Sequence, residues 1–196
     1  MTIFNHTRLT NDVFKIDIKR MRKGWYSDKY FENIGVMLST LAEQKYLFKG
    51  KALRLGDIDL SKTKTGNIEV EMQWFTRRKG KVVVAGVDKA LTVLRHCCGY
   101  FNGNGKFVNT WKRMKVEAVH DGATVTYAGD PMTVQPVLRV RGRYRDFALL
   151  ETPTLGLLTR SSRVATNVYE TLMAANGKPV LFFPARFDLH EVQAAD

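Results

Sequence analysis

A change of hydrophobic period near residue 142 limits the possible folds of this chain more than any other feature of its sequence. Before it, apolar and polar residues alternate over residues 67–75, and further strand-like runs fill residues 81–88 and 116–142. A period of two residues is typical of half-buried strands, so we predict an antiparallel sheet whose last part is a meander. After it, residues 143–177 follow a helical period, which predicts a long helical segment.

Local capping signals indicate where the helices begin and end. Residues 27–44 carry apolar side chains at helical spacing, and Ser27 is placed to act as the N-cap. Asp88 is placed to cap a short helix that follows the second strand. In the last helical segment, Pro153 suits the first turn and Gly177 suits the C-terminal cap.

An apolar run at residues 180–183, Val-Leu-Phe-Phe, lacks alternation and is therefore typical of a strand buried on both faces. Such strands are usual in parallel sheets that helices cover. We therefore predict an α/β protein with two parts. Residues 1–141 would form an N-terminal α+β domain, and residues 142–196 would hold connecting helices and the first strand of a parallel unit.

The composition is that of a globular chain of 196 residues, 44% of them hydrophobic. No apolar run approaches the length that a membrane helix needs, and the N-terminus lacks the layout of a signal peptide. We therefore expect a cytoplasmic protein without a membrane partner. Cys97 and Cys98 are adjacent, so they cannot supply a zinc quartet, and a disulfide between them would be strained. We predict reduced thiols that are at least partly buried.

The net charge of +12 favours an anionic partner, and the basic excess lies in the first three quarters of the chain. The densest basic runs, residues 19–25 and 76–81, lie beside aromatic residues on which bases could stack. A solvated face beside core aromatics explains the same pattern, and we favour it over nucleic-acid binding. Arg139, Arg141 and Arg143 would form a row on one face of a strand, either as an anion site or as the polar face of the sheet.

Two other motifs carry no catalytic signal. Residues 99–107 form a glycine-rich run, but Phe107 stands where a phosphate loop needs a magnesium-binding hydroxyl, so we predict an ordinary loop. The four histidines show no metal-binding spacing, so we predict no metal site made by the protein.

Four segments stand in an order that is typical of one enzyme family. They are MRKGWYSDKYF at 21–31, FTRRKGKVVVAGVDKAL at 75–91, VLRVRGRYRDFALLETPTLGLLTRSSRVATN at 137–167 and GKPVLFFPARF at 177–187. The chain thereby resembles the type II pyridine-carboxylate phosphoribosyltransferases, and among them the nicotinate enzymes more than the quinolinate enzymes. Each segment is weakly specific, so their common order carries the resemblance.

The resemblance implies both a fold and a reaction. The fold would be the N-terminal α+β domain followed, in residues 142–196, by the start of an incomplete β/α barrel. The reaction would be that of nicotinate phosphoribosyltransferase, a pentosyltransferase of the glycosyltransferase class, which transfers phosphoribosyl from phosphoribosyl pyrophosphate to nicotinate in NAD biosynthesis and salvage. Mg²⁺ would be bound with phosphoribosyl pyrophosphate, and many nicotinate enzymes also hydrolyse ATP. A homodimer or a larger homo-oligomer is implied as well.

Arg186 is the catalytic residue that the resemblance implies. It lies just beyond the carboxyl end of the predicted barrel strand, where barrel enzymes place their chemistry. A guanidinium there can bind the nicotinate carboxylate or the pyrophosphate, because it binds two oxygens at once and stays charged. An ordinary surface arginine is the alternative. His190, on the same segment, is implied as a substrate-binding residue.

The other implied substrate-binding residues lie on two helices. Tyr30 and Phe31 match an aromatic pair on which a pyridine ring could stack, in the active site of a neighbouring subunit. Packing in the core is the alternative for Phe31. Asp28 would either orient the substrate or stabilise the N-terminus of its own helix. Ser162 and Thr166 match positions near the pocket.

The sequence departs from the family pattern in three respects. Quinolinate enzymes carry an arginine after the glutamate of a Glu-Arg-Thr motif, whereas this chain has Glu151-Thr152, which favours a substrate with one carboxylate. Phe187 stands where the family usually has a second basic residue. The barrel also needs more strands than this chain holds, so we expect an inactive N-terminal portion of a longer enzyme that leaves residues 180–183 exposed. The alternatives are a quinolinate-type enzyme, a nucleic-acid-binding module and a non-catalytic relative.

Overall fold

A computed structural model describes residues 8–9, 11–51 and 53–183 of the chain. Within them lie the helices α1 (Ile18–Arg22), α2 (Lys29–Glu43), α3 (Val87–Cys97) and α4 (Glu151–Ala175). The same residues contain the strands β1 (Arg54–Leu55), β2 (Ile58–Asp59), β3 (Glu69–Trp74), β4 (Gly80–Val83), β5 (Gly99–Phe101), β6 (Phe107–Asn109), β7 (Lys115–Ala118), β8 (Thr124–Tyr127) and β9 (Leu138–Arg143). This mixed content confirms the predicted α/β class.

The strands form separate antiparallel sheets, and the predicted meander is wrong. β9 is the centre of a three-stranded sheet, with β3 on one side and β7 on the other. β8 pairs with β4 instead of with its neighbour in sequence, β7. The turn at Asp121-Gly122 explains the difference, because Gly122 and Ala123 exchange backbone hydrogen bonds with Val84, just past the end of β4. The segment is thereby directed to β4 before β8 begins.

Two other predictions about the strands are confirmed. In β3, Trp74 is buried, Val70 and Met72 are partly buried, and the residues between them are exposed. The predicted alternation is therefore present, with one face of β3 towards the core. The glycine-rich run at residues 99–107 forms the β5–β6 hairpin, as expected for an ordinary loop.

The N-terminal cap of α3 comes from a distant residue. The helix begins at Val87, so Asp88 lies inside its first turn, and the predicted capping role of Asp88 is wrong. The Asp121 carboxylate instead accepts hydrogen bonds from the backbone N–H groups of Val87 at 2.8 Å and Asp88 at 3.1 Å. The Asp88 side chain is bound by Arg8 at 2.8 Å. The Asp88 carboxylate is therefore engaged in an ion pair with a residue from the start of the chain.

The ends of α2 and α4 each differ from the predictions by one residue. The N-cap of α2 is Asp28 rather than Ser27, because Asp28 is the last residue with extended backbone before the helix. The C-cap of α4 is Asn176, which adopts the left-handed conformation with φ 47°, and Gly177 follows it. Asparagine is the non-glycine residue that most readily takes this conformation at a helix end.

The core lies between α3, the sheets and the beginning of α4. Its fully buried side chains include Val84, Leu94, Val140, Phe147 and Leu150. Cys97 and Cys98 are free and buried, which confirms the predicted thiols. No helix among the described residues has both the length and the apolar character of a membrane span.

The apolar run at residues 180–183 does not form the predicted strand. Its side chains are exposed, from 38% for Val180 to 78% for Leu181, so the expected exposure is confirmed. A strand needs partners for its backbone N–H and C=O groups, and none of the described strands pairs with this run. The rest of the predicted barrel segment, residues 184–196, lies outside the described residues. The domain boundary after residue 141 stays a prediction.

Candidate functional site

The N-terminal ends of α2 and α4 are joined by a pair of hydrogen bonds. The Thr152 hydroxyl donates to the Asp28 carboxylate at 3.0 Å and accepts from the Asp28 backbone N–H at 3.2 Å. Asp28 immediately precedes α2, yet its carboxylate makes no capping bond to that helix. Its side chain therefore connects two helices that are distant in sequence.

Tyr30 and Phe31, the predicted aromatic pair, differ sharply in exposure. Their ring centroids lie 4.0 Å apart and the ring planes are inclined by 36°. Phe31 is 3% exposed, whereas Tyr30 is 55% exposed. Tyr30 thus presents an open aromatic surface, and Phe31 packs behind it. The substrate-binding role of each residue stays a prediction.

Two acidic side chains and two phenols share this end of the helices. Partial burial raises the pKa of Glu151, and the negative charge of Asp28 raises it further. The pKa of the Tyr30 phenol is raised first by the loss of surrounding water and then by the charges of Glu151 and Asp28. Burial also raises the pKa of Tyr144, with smaller contributions from Glu151 and Tyr30. Both phenols therefore remain protonated hydrogen-bond donors at neutral pH.

These residues form what we call the α2–α4 cluster. Its members are Asp28, Tyr30, Tyr144, Glu151 and Thr152. Tyr144 was absent from the residues predicted to form the site, although Gly142-x-Tyr144 belongs to one of the resembling segments. That motif was the signal that could have identified it.

Ser162 and Thr166 bind the backbone edge of β4 through their hydroxyl groups. Thr166 Oγ1 accepts from the Val83 N–H at 3.0 Å, and Ser162 Oγ accepts from the Ala85 N–H at 3.1 Å. Four residues of helix advance about 6 Å and two residues of strand about 6.6 Å, so the two spacings match. Thr166 is fully buried in this contact. The arrangement accounts for both hydroxyls as packing groups, and their role in substrate binding stays a prediction.

The remaining predicted site residues, Arg186 and His190, lie outside the described residues and stay predictions. Within the described ranges, no group of three or more His, Cys, Asp or Glu side chains is arranged to hold a metal ion. The α2–α4 cluster itself offers two carboxylates, Asp28 and Glu151. The structure therefore brings together Asp28, Tyr30 and Phe31 with the start of α4, and it places Ser162 and Thr166 further along that helix.

The predicted arginine row has the expected geometry. It alternates with Leu138 and Val140, which are buried. The arginines are balanced by neighbouring acidic residues, in the pairs Arg139–Glu117 at 3.9 Å, Arg141–Glu71 and Arg143–Asp146 at 2.7 Å. Of the two alternatives for this row, the ion pairs favour the polar face of the sheet over an anion site.

Comparison with known proteins links this geometry to one family. The profile of the family described as quinolinate phosphoribosyl transferase, N-terminal domain, matches residues 57–162, more than half of the chain. Among curated proteins there is no match. Among solved structures, the chain is similar to nicotinate-nucleotide pyrophosphorylase from Pyrococcus furiosus, with 20% identity and a TM-score of 0.58 over 98% of this chain. It is also similar to human nicotinic acid phosphoribosyltransferase, with 17% identity and a TM-score of 0.53 over 86% of this chain.

With sequence identities of 20% and 17%, the two solved structures show that this chain has a similar fold. The chain spans 37% of the length of the first and 33% of the length of the second. The profile match includes Tyr144, Glu151 and Thr152 of the α2–α4 cluster, while Asp28 and Tyr30 precede it. The resemblance to this family is thus confirmed, while the nearer resemblance to the nicotinate enzymes stays a prediction, and the chain belongs to the quinolinate phosphoribosyl transferase N-terminal domain family.

Proposed function

We propose that this chain is the N-terminal part of a phosphoribosyltransferase that makes a pyridine mononucleotide in NAD biosynthesis. Membership of the family supports the reaction class, and the names of both solved neighbours agree with it. In this reaction, the pyridine nitrogen forms a bond to C1 of the ribosyl group. The bond from C1 to the pyrophosphate oxygen breaks, and its electron pair leaves with pyrophosphate.

We propose nicotinate as the acceptor in preference to quinolinate. The residue that supports this preference is Thr152. The resemblance to quinolinate enzymes would place an arginine at this position to pair with a second carboxylate. Here a neutral hydroxyl stands instead, and it is already bonded to the Asp28 carboxylate at 3.0 Å. The charged members of the α2–α4 cluster, Asp28 and Glu151, are both acidic. A second carboxylate on the pyridine ring would therefore meet like charge without a cation.

Tyr30 is the residue to which we assign the pyridine ring. Its exposed ring can stack on a flat heteroaromatic acid, and the buried Phe31 behind it holds the ring in place. The protonated phenol of Tyr144 can donate a hydrogen bond to the single carboxylate of nicotinate. We assign Arg186 to bind that carboxylate or the pyrophosphate, because this reaction needs a permanent cation beside the negative charge of the departing pyrophosphate.

Mg²⁺ would reach the site as the complex of phosphoribosyl pyrophosphate, in which it neutralises the departing pyrophosphate. No set of three candidate ligand side chains is grouped within the described ranges. We therefore assign none of these residues to the metal. We likewise assign no residue to bind ATP.

The proposal is tested with the purified polypeptide encoded by the complete coding sequence that contains this chain. Mononucleotide formation is measured with phosphoribosyl pyrophosphate, Mg²⁺ and either nicotinate or quinolinate. We expect kcat/KM to be about 30-fold higher for nicotinate, because an unpaired carboxylate costs about 2 kcal/mol. A preference for quinolinate would overturn the choice of acceptor. Turnover of neither acid would overturn the reaction class.

Arg186→Ala tests the catalytic assignment in the same assay. We expect turnover to be lost while the far-UV circular dichroism spectrum stays unchanged, because the variant removes the cation that this reaction needs. Near-normal turnover would remove Arg186 from the active site.

A further inference from the structure

The two basic runs of the chain differ in the exposure of the tryptophan beside them. Trp25, at the end of the run 19–25, is 69% exposed. Trp74, beside the run 76–81, is 3% exposed. A solvated face beside a core aromatic therefore describes the second run and does not describe the first. Because tryptophan is enriched where proteins bind partners, an exposed tryptophan among basic residues indicates a binding surface.

Trp25 lines a depression of about 440 Å³ at the end of α1. The other described residues that line it are Asp17, Lys19, Arg20 and Lys23. Lys19 and Lys23 are four positions apart, so they lie on the same side of this helix end. The Arg20 guanidinium lies 5.3 Å from the centre of the Trp25 ring. The depression thus combines an exposed aromatic ring with basic side chains.

Most of the positive charge around this depression has no acidic partner. Asp17 is the one carboxylate among the described lining residues. It accepts hydrogen bonds from Arg20 at 3.0 Å and from the Tyr26 hydroxyl at 2.9 Å. Lys19 and Lys23 are exposed and take part in none of the ion pairs within the described ranges. A negatively charged partner would therefore meet two ammonium groups that are not neutralised.

The β5–β6 hairpin packs beside α1 and adds to this surface. The Arg22 guanidinium donates to the His96 carbonyl at 2.8 and 2.9 Å and lies 4.1 Å from the centre of the Phe107 ring. These contacts hold the hairpin next to the end of α1. Phe101 of the hairpin is 45% exposed, and Lys106 in its turn is exposed. The hairpin therefore contributes a second exposed aromatic ring and a further cation.

We propose that this surface, which we call the α1 face, binds a single strand of nucleic acid. Its residues are Lys19, Arg20, Lys23, Trp25, Phe101 and Lys106. An unpaired base stacks on Trp25, and the ammonium groups of Lys19 and Lys23 bind phosphates of the strand. Exposed aromatic rings beside a basic surface are how proteins hold single strands without reading their sequence. This binding goes beyond the proposed transferase reaction, in which none of these residues has a role.

An anionic lipid surface is the less favoured partner for the α1 face. Helices that lie on a membrane insert a wide apolar side among the lipid headgroups. The apolar residues of α1, Ile18 and Met21, instead pack against the core of the chain. α1 therefore has no free apolar side to insert.

The first test measures binding of the 196-residue chain to fluorescein-labelled oligo(dT) by fluorescence anisotropy. We expect Trp25→Ala to weaken this binding about ten-fold, because stacking contributes about 1–3 kcal/mol per base. Trp25→Tyr keeps an aromatic ring and should restore most of the affinity. Trp25→Ala should leave binding of a DNA duplex unchanged, since paired bases offer no free face to the ring. Equal affinity of Trp25→Ala and the unaltered chain for oligo(dT) would overturn the proposal.

The second test locates the charges that bind the phosphates. For single strands, each phosphate contact contributes about 0.7 to the slope of log affinity against log salt concentration. Lys19→Gln with Lys23→Gln should therefore reduce that slope by about 1.4. The matched control is Lys49→Gln with Lys51→Gln, which removes two exposed lysines from outside the α1 face. An equal reduction in both pairs would show that overall charge holds the strand, which would overturn the proposal.

A third measurement distinguishes a lipid partner from a nucleic acid. Vesicles of phosphatidylserine and phosphatidylcholine are sedimented with the unaltered chain and with Trp25→Ala. We expect Trp25→Ala to leave vesicle binding unchanged. Vesicle binding that requires Trp25, without binding of oligo(dT), would overturn the proposal. These variants alter none of the residues assigned to the transferase reaction, so failure here and failure of the turnover assay are distinguishable.

Discussion

The hydroxyl of Thr166, in the middle of α4, accepts a hydrogen bond from the backbone N–H of Val83 in β4 at 3.0 Å. One helical turn earlier, Ser162 makes the corresponding bond to Ala85 at 3.1 Å. The side of β4 that does not pair with β8 is thereby covered by a helix. Covering a strand edge in this way removes a site at which another chain could pair. The middle of α4 is thus packed against β4 and the residues that follow it.

Replacing Thr166 with valine should lower the free energy of unfolding by about 2 kcal/mol, because the buried Val83 N–H loses its acceptor. Urea unfolding followed by circular dichroism measures the change. Thr171→Val is the matched control, since Thr171 lies on the exposed part of α4 and bonds only the Asn167 carbonyl, at 2.8 Å. If the two variants were destabilised equally, the contact with β4 would not be the cause.

Replacing Asp121 with alanine should destabilise the chain by about 1–2 kcal/mol, the usual effect of removing an N-cap. The Asp121 carboxylate receives the first two N–H groups of α3, so both would lose their acceptor. Asp121→Asn keeps one carbonyl acceptor and should lose less stability. Thermal unfolding compares the three proteins. A melting temperature unchanged in Asp121→Ala would show that this cap contributes nothing.

Thr152→Val should weaken the connection between α2 and α4, since it removes both bonds to Asp28 while keeping the side-chain shape. We expect a loss of about 1 kcal/mol in the free energy of unfolding. Thr152→Ser retains the hydroxyl and should restore most of it. In the turnover assay that tests the proposed function, the same pair of variants should respectively lower and restore kcat/KM for nicotinate. Failure of serine to restore either quantity would contradict the role of the hydroxyl.

Stability should fall in alkaline solution because of Cys97. Burial raises the pKa of its thiol from 9.0 to about 11, an effect that the nearby Arg22 opposes only in part. Between these two values the unfolded chain has lost a proton that the native chain still holds, so the free energy of unfolding decreases as pH rises. The stabilisation that the Cys97 thiol contributes is fully present below pH 9.0 and is lost above about pH 11.

Urea unfolding across this pH interval measures the effect of the thiols. Burial also raises the pKa of Cys98, so the comparison uses Cys97→Ala with Cys98→Ala together. This variant should show a shallower decrease with pH than the unaltered chain. Equal slopes in the two proteins would mean that other groups cause the decrease.

The apolar run at the end of the described chain should promote self-association. Leu181 is 78% exposed and Phe183 is 73% exposed, and such contiguous apolar surface is a typical contact region. We expect the apparent mass from light scattering to rise with protein concentration, and Leu181→Glu with Phe183→Glu to abolish the rise. Val36→Glu with Met37→Glu, on the exposed face of α2, is the comparison. An effect in that pair alone would place the contact on α2.

Sequence periodicity and residue order were sufficient to predict the features that neighbouring residues in the sequence determine. The alternation in β3, the helical spacing of α2 and α4, and the buried thiols of Cys97 and Cys98 all follow from local pattern and are confirmed. The family was likewise recognisable from four short segments in order. Such features are encoded locally, because a side chain's position relative to its own helix or strand repeats with a known period.

Contacts between distant residues could be found only in the folded chain. The cap that Asp121 provides to α3, the pairing of β8 with β4, and the bonds from Thr152 to Asp28 all join segments whose separation follows no sequence period. Arg77 and Arg163, which are distant in sequence, line one groove only because α4 packs beside the end of β3. Hydrogen bonds and charge interactions depend on distance in space. Local pattern indicates which face of an element is apolar, and packing then decides which polar groups meet.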